Sequence, residues 1–316
     1  MNIVVLDRMA LGKDLSLKPL EAFGTLTVYE TTARKEVAAR IANADIAVVN
    51  KVPLGADAFT PGGRLKLICE FATGYDNISL ADARRCGVTV TNVPAYSTES
   101  VALYTFATVL SLLTHLQTYR NYVADGRYTI SGVPNLLAPT YHEIAGKTWG
   151  IVGCGNIGRR VAEIAGAFGA HVIVNRRKKD DGHICVDIDT LCRESDIITL
   201  HCPLTEETRR LFNADRIAGM KPGAVLVNEA RGAVVDSEAV ACAIEEKRIA
   251  GFGSDVYDGE PLKVTDPLYR IRGRENVILT PHAAWGAYEA RVRCLDVVCK
   301  NIRAFLDGET ENRVDI

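Results

Sequence analysis

Arg231, Glu260 and His282 each follow a β-patterned run, and together they define the chemistry this sequence is able to do. The run AVLVN ends at Asn228 and leads through Glu229 and Ala230 to Arg231 and Gly232. GFGSDV ends near Asp255 and leads through Asp258 and Gly259 to Glu260 and Pro261. NVILT leads into Pro281 and His282. In open parallel sheets, ligands bind beyond the carboxyl ends of the strands, so the three side chains are expected on one edge. A guanidinium, a carboxylate and an imidazole beside a nicotinamide suit reduction of a carbonyl that neighbours a carboxylate. Arg holds the substrate anion, His moves the proton, and Glu orients His and favours its charged form. Taken singly, each has a duller reading as a surface charge or a packed ring. Their order downstream of a glycine loop is what gives the set weight.

That loop is GCGNIG, with Gly153, Gly155 and Gly158 set between the apolar run TWGIV and the helical stretch RRVAEIAGAF. Gly153 permits the tight turn, Gly155 lets the backbone approach a pyrophosphate, and Gly158 lets helix and strand pack closely. The helix N-terminus adds N–H donors and a favourable dipole for the anion. A strand, HVIVN, should follow the helix and meet the adenosine ribose. An acidic residue about 20 residues past the glycines would favour NAD. Here the chain reads Asn175, Arg176, Arg177, Lys178, Lys179, with Asp180 and Asp181 beyond. Arg makes paired, charge-assisted hydrogen bonds to phosphate oxygens, so NADP(H) is the expected cofactor and NAD(H) the alternative.

The totals narrow the function classes. At 316 residues, 47% apolar and 24% charged, the chain suits a soluble two-domain enzyme. A net charge near −2 gives no broad attraction for nucleic acid or an anionic membrane. The apolar stretch from Val101 to Leu113 is too short and too hydroxylated to span a bilayer, and the N-terminus reads as a first strand rather than a signal peptide. Nine cysteines, an odd number with no CxxC pair, fit free thiols in a reducing cytoplasm. Cys154 inside the glycine loop is treated as incidental. His115, His142, His171 and His183 lack metal-ligand spacing, so no metal is expected.

The elements that must position these residues fall into two strand–helix sets. The first runs IVVL, LTVYE, IAVVN, LKLICEFA and VTVTNV. The second runs TWGIV, HVIVN, DIITLHC, AVLVNEA, GFGSDVY and NVILTPH. Between them lies one long helix, expected from Glu99 to Gly126 and capped by Ser97 or Thr98. Its apolar residues cover most of its circumference, which implies burial on all sides. The stretch from Arg127 to Gly146 is loop-rich and unassigned. The terminal EARVRCLDVVCKNIRAFLDG is amphipathic and returns to the first set. The expected fold is α/β, with two Rossmann-like parallel-sheet domains. A dinucleotide-binding domain, residues 99–286 with the dimerisation helix, is inserted into a discontinuous flavodoxin-like substrate domain, residues 1–98 and 287–316.

N-x-A-R-G, D-x-x-x-x-E-P and T-P-H-x-A-W at these separations after the glycine loop resemble the D-isomer-specific 2-hydroxyacid dehydrogenases. EFATGYDNISL, NVPAYSTESVA and LHCPLTEETRRLFN fit the same family, so the resemblance covers nearly the whole chain. Within it, NKVPL, VPAYSTESVA and His-Ala-Ala-Trp look most like the glycerate dehydrogenase (hydroxypyruvate reductase) branch. The resemblance implies reduction of a small 2-oxo acid to the D-2-hydroxy acid. It makes Arg231 the ligand of the substrate carboxylate and carbonyl, His282 the general acid, and Glu260 its hydrogen-bond partner. Backbone N–H groups near Thr73 and Gly74 would clasp the substrate carboxylate. Asp255 would orient the nicotinamide amide. Thr98, Asn156, Ile157 and Ala230 would lie along the cofactor, and Pro203 and Thr208 would line its adenine side. A homodimer built on the long helix is also implied. Trp285 is read as a wall of the substrate pocket, with plain packing as the alternative, and His201 as packing beside the adenine site.

The sequence departs from that pattern in three places. The strand-end acid is missing. Glu229 stands where a small or hydroxyl-bearing residue is common, and would either compete with the substrate anion or point into the cofactor groove. Leu103 follows SVA where many members carry a polar residue. Two other readings stand beside the main one: a D-lactate-type or other 2-hydroxyacid dehydrogenase using NADH, and a dinucleotide-sensing, corepressor-like protein without turnover.

Overall fold

Short β-branched runs alternating with helical stretches fold here as two wholly parallel sheets. The computed structural model describes residues 1–177 and 182–316, so the sequence reading of Lys178, Lys179, Asp180 and Asp181 lies outside the described residues. The chain divides into two compact units, one made of Met1–Ser97 with Gly286–Ile316 and the other of Thr98–Trp285. Each boundary falls one residue earlier than the sequence reading put it.

In the discontinuous unit the strands are β1 (Asn2–Val5), β2 (Thr25–Val28), β3 (Ile46–Val49), β4 (Leu67–Glu70) and β5 (Thr89–Thr91), in the order β2-β1-β3-β4-β5. β3 and β4 are buried at every position, as strands covered on both faces must be. The helix Tyr288–Leu306 returns to this unit and buries Ala290, Cys294, Leu295, Val298 and Ile302. Beyond it, Val314 N–H donates to Val90 O at 2.9 Å, and the Asp315 carboxylate accepts from Val90 N at 3.0 Å.

The contiguous unit holds β6 (Thr148–Val152), β7 (His171–Asn175), β8 (Ile184–Cys185), β9 (Ile197–Leu200), β10 (Val225–Asn228), β11 (Gly251–Ser254) and β12 (Val277–Leu279). Their order is β12-β11-β10-β9-β6-β7-β8. The chain leaves β6 in one direction and returns beside it through β9, so the order reverses between these two strands. Side chains alternate between faces along a strand. Val225 and Val227 of β10 join one core with Phe106, Trp149 and Val161, while Leu226 joins the other with Phe212, Ile244 and Phe252. β8 was not anticipated: two residues give too little pattern to read.

The long helix is two helices. Thr98–Leu113 ends before His115, whose φ of +50° is left-handed, and Leu116–Ala124 leaves at 65° to it. A non-glycine residue in that conformation breaks the α-helical ladder. Within this one chain the first helix is not buried all round, which leaves the expected burial between subunits untouched. Val101, Ala102, Phe106 and Val109 are buried, but Leu103 is 68% exposed. The stretch after it contains a short helix, Arg127–Ser131, followed by irregular chain. No single helix among the described residues is long and apolar enough to cross a membrane. All nine cysteines are free thiols.

Candidate active site

The glycine loop leaves β6 at the reversal point of the seven-stranded sheet. Gly153 has φ +89°, and a Cβ there would lie 2.6 Å from the Cys202 backbone N. A Cβ on Gly158 would lie 2.1 Å from Gly153 O, so helix and loop touch backbone to backbone. Gly155 differs: a Cβ there would meet nothing within 4 Å. Two glycines are therefore required by internal packing, and the space beside the third is open. Asn156 opens the twelve-residue helix Asn156–Ala167 just after it, with Ile157 half-buried behind. This is a cradle for a dinucleotide pyrophosphate at a helix N-terminus.

At the end of β7 the Asn175 amide donates to Val186 O at 2.9 Å, which commits it to the sheet. Arg176 is half-buried and Arg177 exposed, and no carboxylate occupies 175–177. On the neighbouring loop Thr208 Oγ1 donates to Pro203 O at 2.7 Å and accepts from Thr205 N at 2.7 Å, so Pro203 and Thr208 are held together. Thr98 lies at the N-terminus of the helix Thr98–Leu113.

Three backbone devices place Arg231, Glu260 and His282. Asn228 is wholly buried. Its Nδ2 donates to Arg231 O at 3.0 Å and its Oδ1 accepts from Ala230 N at 3.1 Å, closing the turn that ends β10. A Cβ on Gly232 would sit 1.9 Å from the Tyr257 carbonyl carbon. Only glycine lets the Arg231 turn lie directly against the chain that leads to Glu260. Third, the Asp255 carboxylate, 1% exposed, accepts from Thr280 Oγ1 at 2.6 Å, Ala283 N at 2.8 Å and Ala284 N at 2.8 Å. This clamp bends the chain around His282, whose φ is +54°. Tyr257 OH adds a brace to Thr280 O at 2.7 Å.

The result is a direct contact. His282 Nδ1 lies 2.7 Å from Glu260 Oε2 and 2.8 Å from Oε1, with both side chains partly exposed. A carboxylate only accepts, so Nδ1 is the N–H donor of this pair, and Nε2 lies at the opposite edge of the ring. Arg231, on the turn packed against the same chain, donates from Nη1 to Ala230 O at 2.9 Å. A guanidinium, a carboxylate and an imidazole thus follow the carboxyl ends of three strands of one sheet.

Asp255 does more than its expected role of orienting an amide, because three of its acceptor positions already hold the His282 loop. Trp285, half-buried, closes this unit. Thr73 lies in the other unit. Its hydroxyl donates to Val93 O at 2.8 Å and its carbonyl accepts from Asn92 Nδ2 at 2.8 Å, so the Thr73 turn is held in place within that unit.

Glu229 and His201 occupy adjacent register positions past the ends of β10 and β9. Both Glu229 carboxylate oxygens and both His201 ring nitrogens are buried without a hydrogen-bond partner. Burial and the neighbouring Asp255 push the Glu229 carboxyl well above the usual range, and burial pushes His201 down to about 3. Both groups are held toward their neutral forms, so Glu229 is no competing anion for Arg231. Sequence reasoning missed the parts played by Asn228, Gly232, Tyr257 and Thr280. The first two stand inside the N-x-A-R-G motif, and its asparagine and glycine were the available signal. Among the described residues no group of three or more His, Cys, Asp or Glu side chains is placed to hold a metal.

Comparison with known proteins agrees with this geometry. The family described as "D-isomer specific 2-hydroxyacid dehydrogenase, NAD binding domain" matches residues 106–284. The hydroxypyruvate reductase of Blautia hydrogenotrophica is 34% identical over 326 aligned positions, covering 100% of this chain and 100% of that protein. An acyclic imino acid reductase (Bsp5), solved in complex with NADPH and D-Arg, matches with a TM-score of 0.88 at 29% identity, covering 99% of this chain and 100% of its own. A D-lactate dehydrogenase from Aquifex aeolicus, solved with NAD and lactic acid, matches with a TM-score of 0.82 at 31% identity, covering 100% of this chain and 99% of its own. The chain belongs to the D-isomer-specific 2-hydroxyacid dehydrogenases and is a nicotinamide-dependent oxidoreductase of that family.

Proposed function

We propose that this protein reduces a small 2-oxo acid of the hydroxypyruvate or glyoxylate type to the D-2-hydroxy acid, with NADPH as the preferred cofactor. The observation that carries this is the Glu260–His282 contact, 2.7 Å from carboxylate to Nδ1, on the edge that also holds Arg231. Arg231 takes the substrate carboxylate and polarises the carbonyl oxygen. His282 gives that oxygen its proton through Nε2 in reduction and removes it in oxidation. Glu260 orients the His282 ring through Nδ1. Ala230, the helix start at Asn156 and Ile157, Thr98, Pro203 and Thr208 hold the dinucleotide, and the Thr73 and Gly74 N–H groups bind the substrate anion. The nicotinamide, when bound, supplies or accepts the hydride. The hydroxypyruvate reductase relative supports the substrate class.

NADPH preference is supported by Arg176 and Arg177 at the end of β7, with no acid among residues 175–177 to meet a ribose 2′-OH. One solved relative binds NADPH and another NAD, so both nicotinamides are the proper comparison. We assign the protein to the cytoplasm, in keeping with its nine free thiols. A homodimer is supported by the apolar surface of Leu116, Ile130 and Leu137, 59%, 85% and 78% exposed, and by an apolar recess of about 310 Å³ lined by Leu110, Leu113, Tyr141 and Phe168.

Four measurements follow from these assignments. Replacing His282 by Ala lowers kcat for hydroxypyruvate by about 10²–10⁴-fold and leaves the cofactor Kd near wild type; unchanged turnover removes His282 as the acid. Replacing Glu260 by Gln weakens the contact that orients the His282 ring, so kcat for hydroxypyruvate falls while the cofactor Kd stays near wild type; an unchanged kcat assigns Glu260 another task. In steady-state assays kcat/KM is higher with NADPH than with NADH, and the reverse order rejects the Arg176–Arg177 reading. Sedimentation velocity shows a dimer that Ile130→Asp with Leu137→Asp converts to monomer; a wild-type monomer contradicts the assembly.

A further inference from the structure

The discontinuous unit buries an acid that the mechanism does not use. Glu70, the last residue of β4, is 0% exposed. It lies below two loops, 50–54 and 71–79, which a Leu54–Ile78 bridge ties together. Asn77 Nδ2 is the donor at their junction. It lies 3.1 Å from Glu70 Oε2, 3.2 Å from Val52 O and 3.5 Å from Asn50 O. Asn50 Nδ2 donates to Phe71 O at 2.8 Å, and Asp7 accepts the backbone N–H groups of Asn50, Lys51 and Val52. The chain runs directly from Glu70 through Phe71 and Ala72 to Thr73 and Gly74.

We propose that Glu70 is a positioning residue for the substrate. Through Asn77 and the Asn50 loop it sets the Thr73–Gly74 backbone that receives the substrate carboxylate. The inference rests on the role given above to those two N–H groups and names the part beneath them. Glu70 does this as a neutral acid. Its Oε1 and the Oδ1 of Asn50 are both buried with no donor, and a carboxyl proton turns one of these acceptors into a donor. Burial also pushes the Glu70 carboxyl up well above the usual carboxylate range, with nearby Asp7 and Asp76 acting in the same direction and Asn77 and Lys51 against it. The Cys294 thiol of the helix Tyr288–Leu306 and the adjacent Cys69 lie within electrostatic reach of it. An ionised Glu70 would draw the shared Asn77 amide away from the carbonyls of Val52 and Asn50, and the loops would lose their common donor.

The test compares wild type with Glu70→Gln and Glu70→Ala. KM and kcat for hydroxypyruvate are measured at saturating nicotinamide from mildly acid to alkaline pH, and the cofactor Kd by nucleotide fluorescence. Glu70→Ala is expected to raise KM by about tenfold, the size of one misplaced hydrogen bond to a charged group, with little change in kcat or cofactor Kd. Glu70→Gln, a permanent neutral donor, is expected to restore KM at neutral pH and to flatten the alkaline rise in KM expected of wild type, while kcat and the cofactor Kd stay near wild type. An unchanged KM in Glu70→Ala overturns the proposal, and so does an alkaline rise in Glu70→Gln parallel to wild type. If the Ala variant does not fold, the Gln profile decides alone. Failure of wild type to reduce any 2-oxo acid overturns the substrate reading and this inference with it. Wild-type turnover with an unmoved KM in the variants overturns this inference only.

Discussion

One buried carboxylate, Asp255, organises the chemical edge of the contiguous unit. It sits one residue past β11 with 1% exposure and accepts three hydrogen bonds, all from the segment 280–284. A charge buried so deeply is tolerated only when its oxygens are met by donors of good geometry. Satisfying it pulls the chain after β12 into a tight turn, and His282 sits in that turn with φ +54°. Backbone strain of about 1–3 kcal/mol persists only where the surroundings over-determine it. Here the Asp255 clamp and the Tyr257–Thr280 hydrogen bond do so. The imidazole is thereby presented to Glu260 by packing, rather than by a flexible loop.

Arg231 is placed by the same logic. Asn228 closes the turn below it, and the missing side chain of Gly232 lets that turn lie against the chain at Tyr257. β10, β11 and β12 are adjacent and parallel, so their ends reach one edge in register: Asn228 beside Ser254, and Ser254 beside Leu279. Residues far apart in sequence become neighbours through strand pairing.

Much of this was legible in the sequence. Eleven of the strands were long enough, and β-branched enough, to be seen as runs between turn residues; β8 was too short. Gly153 and Gly158 could be read because each answers a distinct packing demand, while Gly155 leaves open space at the loop. What was not legible arises from tertiary context. His115 gave no local signal that it would adopt a left-handed conformation and split one helix into two. Leu103 looked like a core residue by type, yet its position on the helix turns it outward. Glu229 could not be interpreted from type alone, because its protonation preference is set by burial and by Asp255. Glu70 was invisible for the same reason: a glutamate at a strand end looks like surface until its neighbours are known.

The central claim is that Arg231 and His282 act together on the carbonyl of a 2-oxo acid. A crystal structure with oxidised nicotinamide dinucleotide and a bound 2-oxo acid tests it most directly. The account predicts the His282 Nε2 within hydrogen-bond reach, about 2.6–3.2 Å, of the substrate carbonyl oxygen, with the Arg231 guanidinium on the same substrate. A substrate bound out of reach of both side chains would contradict it.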